Sequence, residues 1–400
     1  MPAPSIAAAV SPTARLAALP EYVFLWLDEL KAAARKRGAK LIDLGIGSPD
    51  RPIPAPLVAA LAAAFRDPAT HGYPPFRGTD RFLRAAAGYM RERFGVNVDP
   101  SSEVLCLSGA KEGMAHLAIA FTDESSVALV PDIYYPVHGR AMPLFGGSTH
   151  LLPIRAEDGY LPRLDDIPGD VLSRARLLFL NYPHNPTGAL ASRGFLESAV
   201  AFCRAHDLVL VSDVAYVELT YDGAKSMSVM EIDGARDVVV EFHSLSKSFN
   251  MAGARIGFAV GGAALIDVLF HVRSNMGYGT PKAIQEGAAF ALEHAREFVP
   301  AVVNTYRERR DMLSEGFRSL GWKVTPPPGA MYLWLPVPEP FTSRSWTQHL
   351  IDVADVVVSP GDAFGPGGEG FFRVSLVAEC AELQMAIDRL RKAGVRTPAA

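Results

Sequence analysis

Between residues 100 and 262 the chain alternates between two rhythms. Short apolar runs such as "EVLCLSG", "SVALVP", "ARLLFLNYP", "LVLVSDVAY", "DVVVEFHSLS" and "RIGFAVGG" are separated by segments of helical period, among them "AKEGMAHLAIAF", "YPVHGRAMPLF" and "GFLESAVAFCRAH". Continuous apolar runs suit strands buried on both faces, and the alternation predicts an α/β fold with a mostly parallel sheet between helices. A long helical stretch over residues 282–320 follows and stops at Gly321, before "PPPGAMYLWLPVPEP". Beyond it, "MYLWLPV", "DVVVSPG" and "FFRVSLV" read as strands and "SWTQHLIDVA" and "AELQMAIDRLRKA" as helices, a smaller α+β set. Near the start, "KLIDLGIGSPD" ends in a Gly/Pro turn before the main unit begins. The expected division is residues 1–50 as an N-terminal arm and part of the small unit, 51–290 as the large unit, and 291–400 as the remainder of the small one.

In an open parallel sheet, ligands sit at the carboxyl ends of the strands. Here those ends carry chemistry: Ser108-Gly109-Ala110 after "VLCL", Asn181 and Asn185 after "LLFL", Asp213 and Tyr216 after "LVLVS", Ser244 and Lys247 after "VVVEFH". One rim thus receives a small-residue turn, amides, a carboxylate with a phenol, and an amine.

Composition narrows the function classes. At 400 residues the chain exceeds the usual size of one core, so more than one unit is expected. The 39 Lys+Arg against 43 Asp+Glu leave a formal charge of -4 with no long like-charge block, which argues against nucleic acid or anionic lipid as a partner. Cys106, Cys203 and Cys380 are far apart and outside any C-x-x-C pattern, so neither a disulfide framework nor a metal site is expected, and a reducing cytoplasm fits. "MPAPSIAAAVSPTARLAALP" lacks a cationic start and contains prolines, so it reads as a mobile arm and not as a signal peptide. No apolar run approaches the roughly 20 residues that span a bilayer.

"SLSK" alone also fits the S-x-x-K of penicillin-binding-type acyl enzymes, but the chain has "SDV" in place of S-D-N and no K-T-G. No glycine-rich turn precedes Lys247 to make a P-loop, and the glycines of "GIGSPD" and "FGPGGEG" lack the strand, turn and helix setting of a dinucleotide site. A lysine held among strand ends and partly desolvated has its pKa lowered toward that of a nucleophile, as Schiff-base chemistry requires. Asp213 reads either as a turn-capping aspartate or as a buried partner for a cationic ring nitrogen. "LSGAKEG" enters a helix through small residues, leaving N–H groups for an anion, and Ser244 and Arg255 can add bonds to the same phosphate. Tyr135 can stack on a ring. Arg373, inside the apolar "FFRVSLV", needs something planar and anionic: an interdomain carboxylate or a substrate α-carboxylate.

With these residues assembled, the chain resembles the class I/II aminotransferases of the fold-type I pyridoxal-phosphate superfamily. The likeness runs in order through "LIDLGIGSPD", "YPPFRG", "LSGAKEG", "NYPHNPTG", "SDVAY", "SLSKSFNMAGARIG" and "FFRVSL", and its most specific parts are N-P-T-G and S-x-S-K followed by G-x-R-x-G. The resemblance implies a seven-stranded sheet domain with a small domain built from both termini, and pyridoxal 5'-phosphate as cofactor. It implies that Lys247 carries the cofactor and moves the proton at the substrate Cα, that Asp213 holds the ring-nitrogen proton, and that Asn185 and Tyr216 bond the phenolic oxygen. Tyr135 would stack on the ring, and Gly109, Ala110, Lys111, Ser244 and Arg255 would surround the phosphate. Gly47, Asn185 and Arg373 would grip the substrate carboxylate, while Tyr73 would reach the phosphate of a partner subunit, implying a homodimer with shared sites. The substrates implied are an L-amino acid and a 2-oxo acid.

Several segments are similar to the LL-diaminopimelate aminotransferase branch and its alanine- and aspartate-using relatives. The plant-type diaminopimelate enzymes carry an acidic residue three positions after Tyr73; this chain has Phe76, followed by Arg77. Arg77 and Arg273 can meet a side-chain carboxylate or lie on the surface, and Ala254 is smaller than the residue usual before the phosphate arginine. A β-lyase on the same cofactor is the alternative reaction. A non-catalytic ligand sensor is disfavoured, because no basic winged-helix segment precedes residue 20.

Overall fold

The computed structural model describes residues 11–397. Its strands, in chain order, are β1 (Ile42–Asp43), β2 (Val104–Leu107), β3 (Val127–Pro131), β4 (Ser148–Leu152), β5 (Ala175–Asn181), β6 (Val209–Asp213), β7 (Val239–Ser244), β8 (Gly257–Gly261), β9 (Tyr332–Pro336), β10 (Val356–Val357), β11 (Ser359–Pro360) and β12 (Phe371–Ser375). Seven of them form one sheet in the order β2-β8-β7-β6-β5-β3-β4. All pairings are parallel except those of β8, which runs antiparallel to β2 and β7. The apolar runs are continuous because both faces are covered: Leu178, Leu180, Leu210 and Val239 enter one core, while Leu177, Phe179, Val211, Val240 and Phe242 enter the core on the other side. Each such fully buried large side chain contributes about 1.5–3 kcal/mol relative to exposure.

Two polar residues interrupt β7 without breaking it. Glu241, fully buried, accepts from Ser228 Oγ (2.6 Å), the Val229 N–H (2.7 Å) and His243 Nε2 (2.8 Å). The His243 ring stacks on Phe258 of β8 at 4.6 Å. A buried carboxylate with three donors is satisfied, and it fixes the strand that delivers Lys247.

The second core surrounds a three-stranded antiparallel sheet in the order β11-β12-β9. β1 pairs with β10, Ile42 opposite Val356, so the segment preceding Gly47 is stitched to the C-terminal part of the chain. The helix Cys380–Lys392 packs on the helix Ala295–Ser319.

Three expectations change. The stretch over 282–320 is two helices, Lys282–Glu293 and Ala295–Ser319, divided at His294. The first packs on the helices Ala55–Arg66 and Asp80–Phe94 and the second on Cys380–Lys392, so one apolar stripe cannot serve both. β4 was not expected, because it is an edge strand with its first four residues at least partly exposed and so lacks a continuous apolar run. Of the N-terminal arm, residues 1–10 lie outside the described residues. Residues 14–17 form a helical turn capped by Thr13, and Arg15 lies against Gly146. No helix among the described residues is long and apolar enough to cross a membrane.

Candidate active site

A cavity of about 380 Å³ opens at the carboxyl ends of β5, β6 and β7. Parallel pairing sets Asn181 beside Asp213 across β5 and β6. Asn181 Nδ2 donates to the Asp213 carbonyl (2.7 Å) and its Oδ1 accepts from the Asn185 N–H (3.0 Å), so one amide locks the two strand ends together. The Asp213 carboxylate accepts from the Ala215 N–H (3.2 Å) and from His138 Nε2 (3.1 Å), and it is buried with no Lys or Arg bonded to it among the described residues. A carboxylate oriented by two donors retains acceptor capacity for one more.

β7 ends at Ser244, whose Oγ caps the single turn Leu245–Ser248 by accepting from the Ser246 N–H (3.2 Å). This turn carries Lys247 into the cavity, where Nζ donates to the Gly47 carbonyl (2.5 Å) and meets no carboxylate among the described residues. Burial, reinforced by the nearby Arg373 and Arg255 charges, pulls its pKa down to about 8. About a tenth of the amine is therefore neutral and nucleophilic at pH 7, against well under a thousandth for a lysine of ordinary pKa.

Arg255 adopts the left-handed conformation (φ 52°), and its guanidinium crosses Gly109. Gly109 has φ 101°, a conformation that favours glycine, and a Cβ there would lie 2.7 Å from Arg255 Nη2, so any side chain would also have to displace the guanidinium. The helix Ala110–Ala120 begins at this point with no side chain capping it. Its uncapped N–H groups, Arg255 and Ser244 line the same end of the cavity, an arrangement able to hold an anion.

On the opposite wall, Arg373 sits in β12, the central strand of the small sheet, and is 3% exposed. Its Nη1 donates to Asn185 Oδ1 (3.0 Å) and Nη2 to the Gly45 carbonyl (2.7 Å) and Ser359 Oγ (3.3 Å); Nε is unpartnered. Its guanidinium lies between the rings of Tyr332 (4.1 Å) and Phe364 (4.5 Å). No described carboxylate pairs with it, which removes the interdomain ion pair as its explanation. Burial pushes its pKa down, with the neighbouring tyrosines opposing.

Lys111 extends from the first turn of the Ala110–Ala120 helix over Tyr22 (5.6 Å) and Tyr135 (5.8 Å). Arg140 also faces the Tyr22 ring at 5.5 Å, and its Nε is buried without a partner. Burial lowers the Lys111 pKa, with Arg140 and Arg255 adding to the effect.

The cavity wall therefore gathers Gly47, Gly109, Ala110 and Lys111, then Tyr135, Asn185, Asp213 and Tyr216, and finally Ser244, Lys247, Arg255 and Arg373. Tyr73 is not among them: it is 77% exposed and stacks on Tyr278 at 4.3 Å, with Phe76 on the other contact of that ring. Arg77 turns away to Asp267 and the Phe270 ring, and Arg273 is buried, donating to the Phe76 carbonyl, so neither faces the cavity. Sequence reasoning missed His138, Tyr332 and Phe364. His138 sits three residues after Tyr135, on the first turn of the helix Pro136–Phe145; only its position on that turn, close to the rim, signals it.

Comparison with known proteins is consistent along the chain. The family model described as Aminotransferase class I and II matches residues 39–390. A relative from Trichormus variabilis named LL-diaminopimelate aminotransferase 2 is 42% identical over 383 residues, covering 96% of this chain and 98% of its own. Substrate-bound BacF from Bacillus subtilis superposes with a TM-score of 0.93 at 34% identity, over 97% of this chain and 99% of that one. A probable N-succinyldiaminopimelate aminotransferase from Thermus thermophilus does so with a TM-score of 0.87 at 38% identity, over 93% of this chain and 100% of that one.

Proposed function

The chain belongs to the class I and II aminotransferases and is a pyridoxal-phosphate-dependent enzyme; on that premise we propose that it transfers the amino group of an α-amino acid bearing a second, distal carboxylate, LL-diaminopimelate being the first candidate. The carrying observation is Lys111, an exposed cation on the cavity wall beside Tyr22, with Arg140 at the same ring but outside that wall; neither meets a carboxylate among the described residues. A distal carboxylate reaching that wall would gain a charge-assisted bond from Lys111, with the Arg140 charge in support. LL-diaminopimelate is the substrate in the relative's name. Phe76 lies on the exposed aromatic stack and offers its distal amine no acid, so discrimination is expected to rest on the carboxylate.

The cavity suits the cofactor. The uncapped helix start at Gly109, with the Arg255 guanidinium crossing it, matches a phosphate, and Lys247, which meets no carboxylate among the described residues, matches an aldehyde. Bound pyridoxal phosphate would supply that aldehyde and a protonated ring that draws electrons from the substrate Cα–H bond. In this reading Asp213 holds the ring-nitrogen proton, with His138 orienting the carboxylate from behind. Tyr216, its phenol kept protonated by burial, and Asn185 bond the phenolic oxygen, and Tyr135 covers the ring. Arg373 and the backbone at Gly47 receive the substrate α-carboxylate, and the freed Lys247 Nζ takes and returns the proton at Cα.

The test is a half-reaction screen: the loaded enzyme is mixed with single amino acids, no 2-oxo acid being present, and loss of its visible band is timed. LL-diaminopimelate, aspartate and glutamate are expected to outpace alanine and phenylalanine. Lys111→Met should cost about 10- to 100-fold in kcat/KM for the dicarboxylic donors and little for alanine, the worth of one charge-assisted bond. Alanine or phenylalanine reacting fastest would reject the distal-carboxylate reading.

We further propose a cytoplasmic homodimer, supported by the exposed stack of Tyr73, Tyr278 and Phe76 and by three unpaired cysteines. Sedimentation at micromolar concentration should give twice the 43.0 kDa chain mass; a monomer that loads cofactor normally would count against it.

A further inference from the structure

Tyr332, at the start of β9, is 1% exposed and touches three parts of the site at once. Its hydroxyl lies 2.7 Å from that of Tyr216, and its ring face lies 4.1 Å from the Arg373 guanidinium carbon. Gly47 passes so close that any Cβ there would collide with the Tyr332 hydroxyl. We propose that Tyr332 is a positioning residue: its hydroxyl donates to Tyr216 Oη, which commits the Tyr216 proton to the phenolic oxygen of the bound cofactor, while its ring supports Arg373. The inference rests on the cofactor reading above and adds a residue to it.

The argument is one of proton counting. Two phenols in contact share a single hydrogen bond, and each owns one proton. Were Tyr216 the donor in that pair, it would have nothing left to offer the cavity. An anionic phenolic oxygen accepts only, so it selects the arrangement in which Tyr332 donates to Tyr216 and Tyr216 donates onward. Donors in such a chain polarise one another and strengthen the terminal bond. The ionisable groups around Tyr332 are Tyr216, Arg373, Tyr135 and Tyr306, with Lys247 also lining the cavity. Of the neighbours, Tyr216 is the one hydrogen-bonded to its hydroxyl.

The visible band of the loaded, substrate-free enzyme titrates with pH, and donors to the oxygen anion favour its deprotonated form. Tyr332→Phe should therefore raise that midpoint by about half a unit to one unit and weaken cofactor affinity, measured by titrating apo-enzyme, by about 2- to 10-fold. KM for the amino donor should hold, because the ring under Arg373 remains. Tyr332→Leu should shift the midpoint similarly and raise KM as well. In a Tyr216→Phe background, Tyr332→Phe should add no further shift. A folded Tyr332→Phe with the parental midpoint and affinity, or an equal shift in the Tyr216→Phe background, overturns the inference; should Tyr332→Phe not fold, the Tyr332→Leu midpoint decides in the same way. A parent enzyme that shows no titrating band sinks the cofactor reading instead.

Discussion

Lys247→Ala is expected to lose at least about 10⁴-fold in kcat, because the proposed reading gives Lys247 both the attack on the aldehyde and the proton at the substrate Cα. The chemistry is separable from the activity. Parent enzyme loaded with pyridoxal phosphate and then reduced with borohydride should gain the cofactor as a covalent mass on the peptide bearing Lys247, and the variant should gain none. Covalent attachment that persists in the variant would assign the amine to another lysine. The depressed pKa gives a second check, with its sign fixed. Only the neutral amine attacks an aldehyde, so the rate at which apo-enzyme takes up cofactor should rise about tenfold per pH unit below about 8 and level off above it. A lysine of ordinary pKa would go on accelerating toward pH 10.5. The lowering needs the buried setting on the turn after β7 together with Arg373 and Arg255, so a flat profile across pH 7 to 9 would also contradict the geometry of the cavity.

Lys247, Asp213 and Asn185 were legible in the sequence because each is a polar residue following an apolar run, where a parallel sheet exposes it on a rim, and Arg255 because it comes eight residues after Lys247 at the head of the next run. The alternation of rhythms carried the sheet, while the pairing of Ile42 with Val356 is a contact between distant stretches that no local pattern specifies. What stayed hidden depends on contacts far apart in sequence. Tyr332 lies in "MYLWLPV", where an aromatic residue reads as packing, and only the crossing of β9 with the Tyr216 loop gives its hydroxyl a role. Phe364 sits in "FGPGGEG", whose glycines fit no phosphate-binding pattern. Their use is steric: the Tyr134 N–H donates to the Phe364 carbonyl (2.6 Å) and the Gly367 N–H to the Asp132 carbonyl (3.1 Å). A Cβ at Gly365 would lie 2.5 Å from the Asp132 carbonyl, and one at Gly367 equally close to its carboxylate. These glycines let the C-terminal turn press against the end of β3 and bring Phe364 over Arg373. The split at His294 was hidden for a related reason, since the two helices keep similar periods and differ only in what they pack against.

Arg373→Met is expected to lower kcat/KM by about 10²- to 10⁴-fold toward every amino acid and 2-oxo acid, alanine included, the cost of stranding a substrate carboxylate opposite an apolar wall. This uniform loss differs from that of Lys111→Met, which should fall on dicarboxylic donors alone. Cofactor affinity should change little, because Arg373 lies across the cavity from the helix start at Gly109. Stability gives the sharper discrimination. If Arg373 were half of a structural ion pair, its removal would leave a buried carboxylate alone and cost about 3–5 kcal/mol. No described carboxylate pairs with it, and what it would forfeit are bonds to the Gly45 carbonyl, Asn185 and Ser359 and two ring contacts. Against those losses stands relief from burying an uncompensated cation, so the net change should stay under about 2 kcal/mol, with either sign. Arg373→Lys keeps the charge but not the fork, and it should still lose about tenfold or more, because a point charge cannot hold Asn185 and a planar carboxylate together. A variant that unfolds readily while its remaining folded fraction turns over alanine at the parental rate would return Arg373 to a structural role. The buried Nε, which has no partner among the described residues, argues for the opposite outcome: it is the donor left over when the protein's own acceptors have been counted.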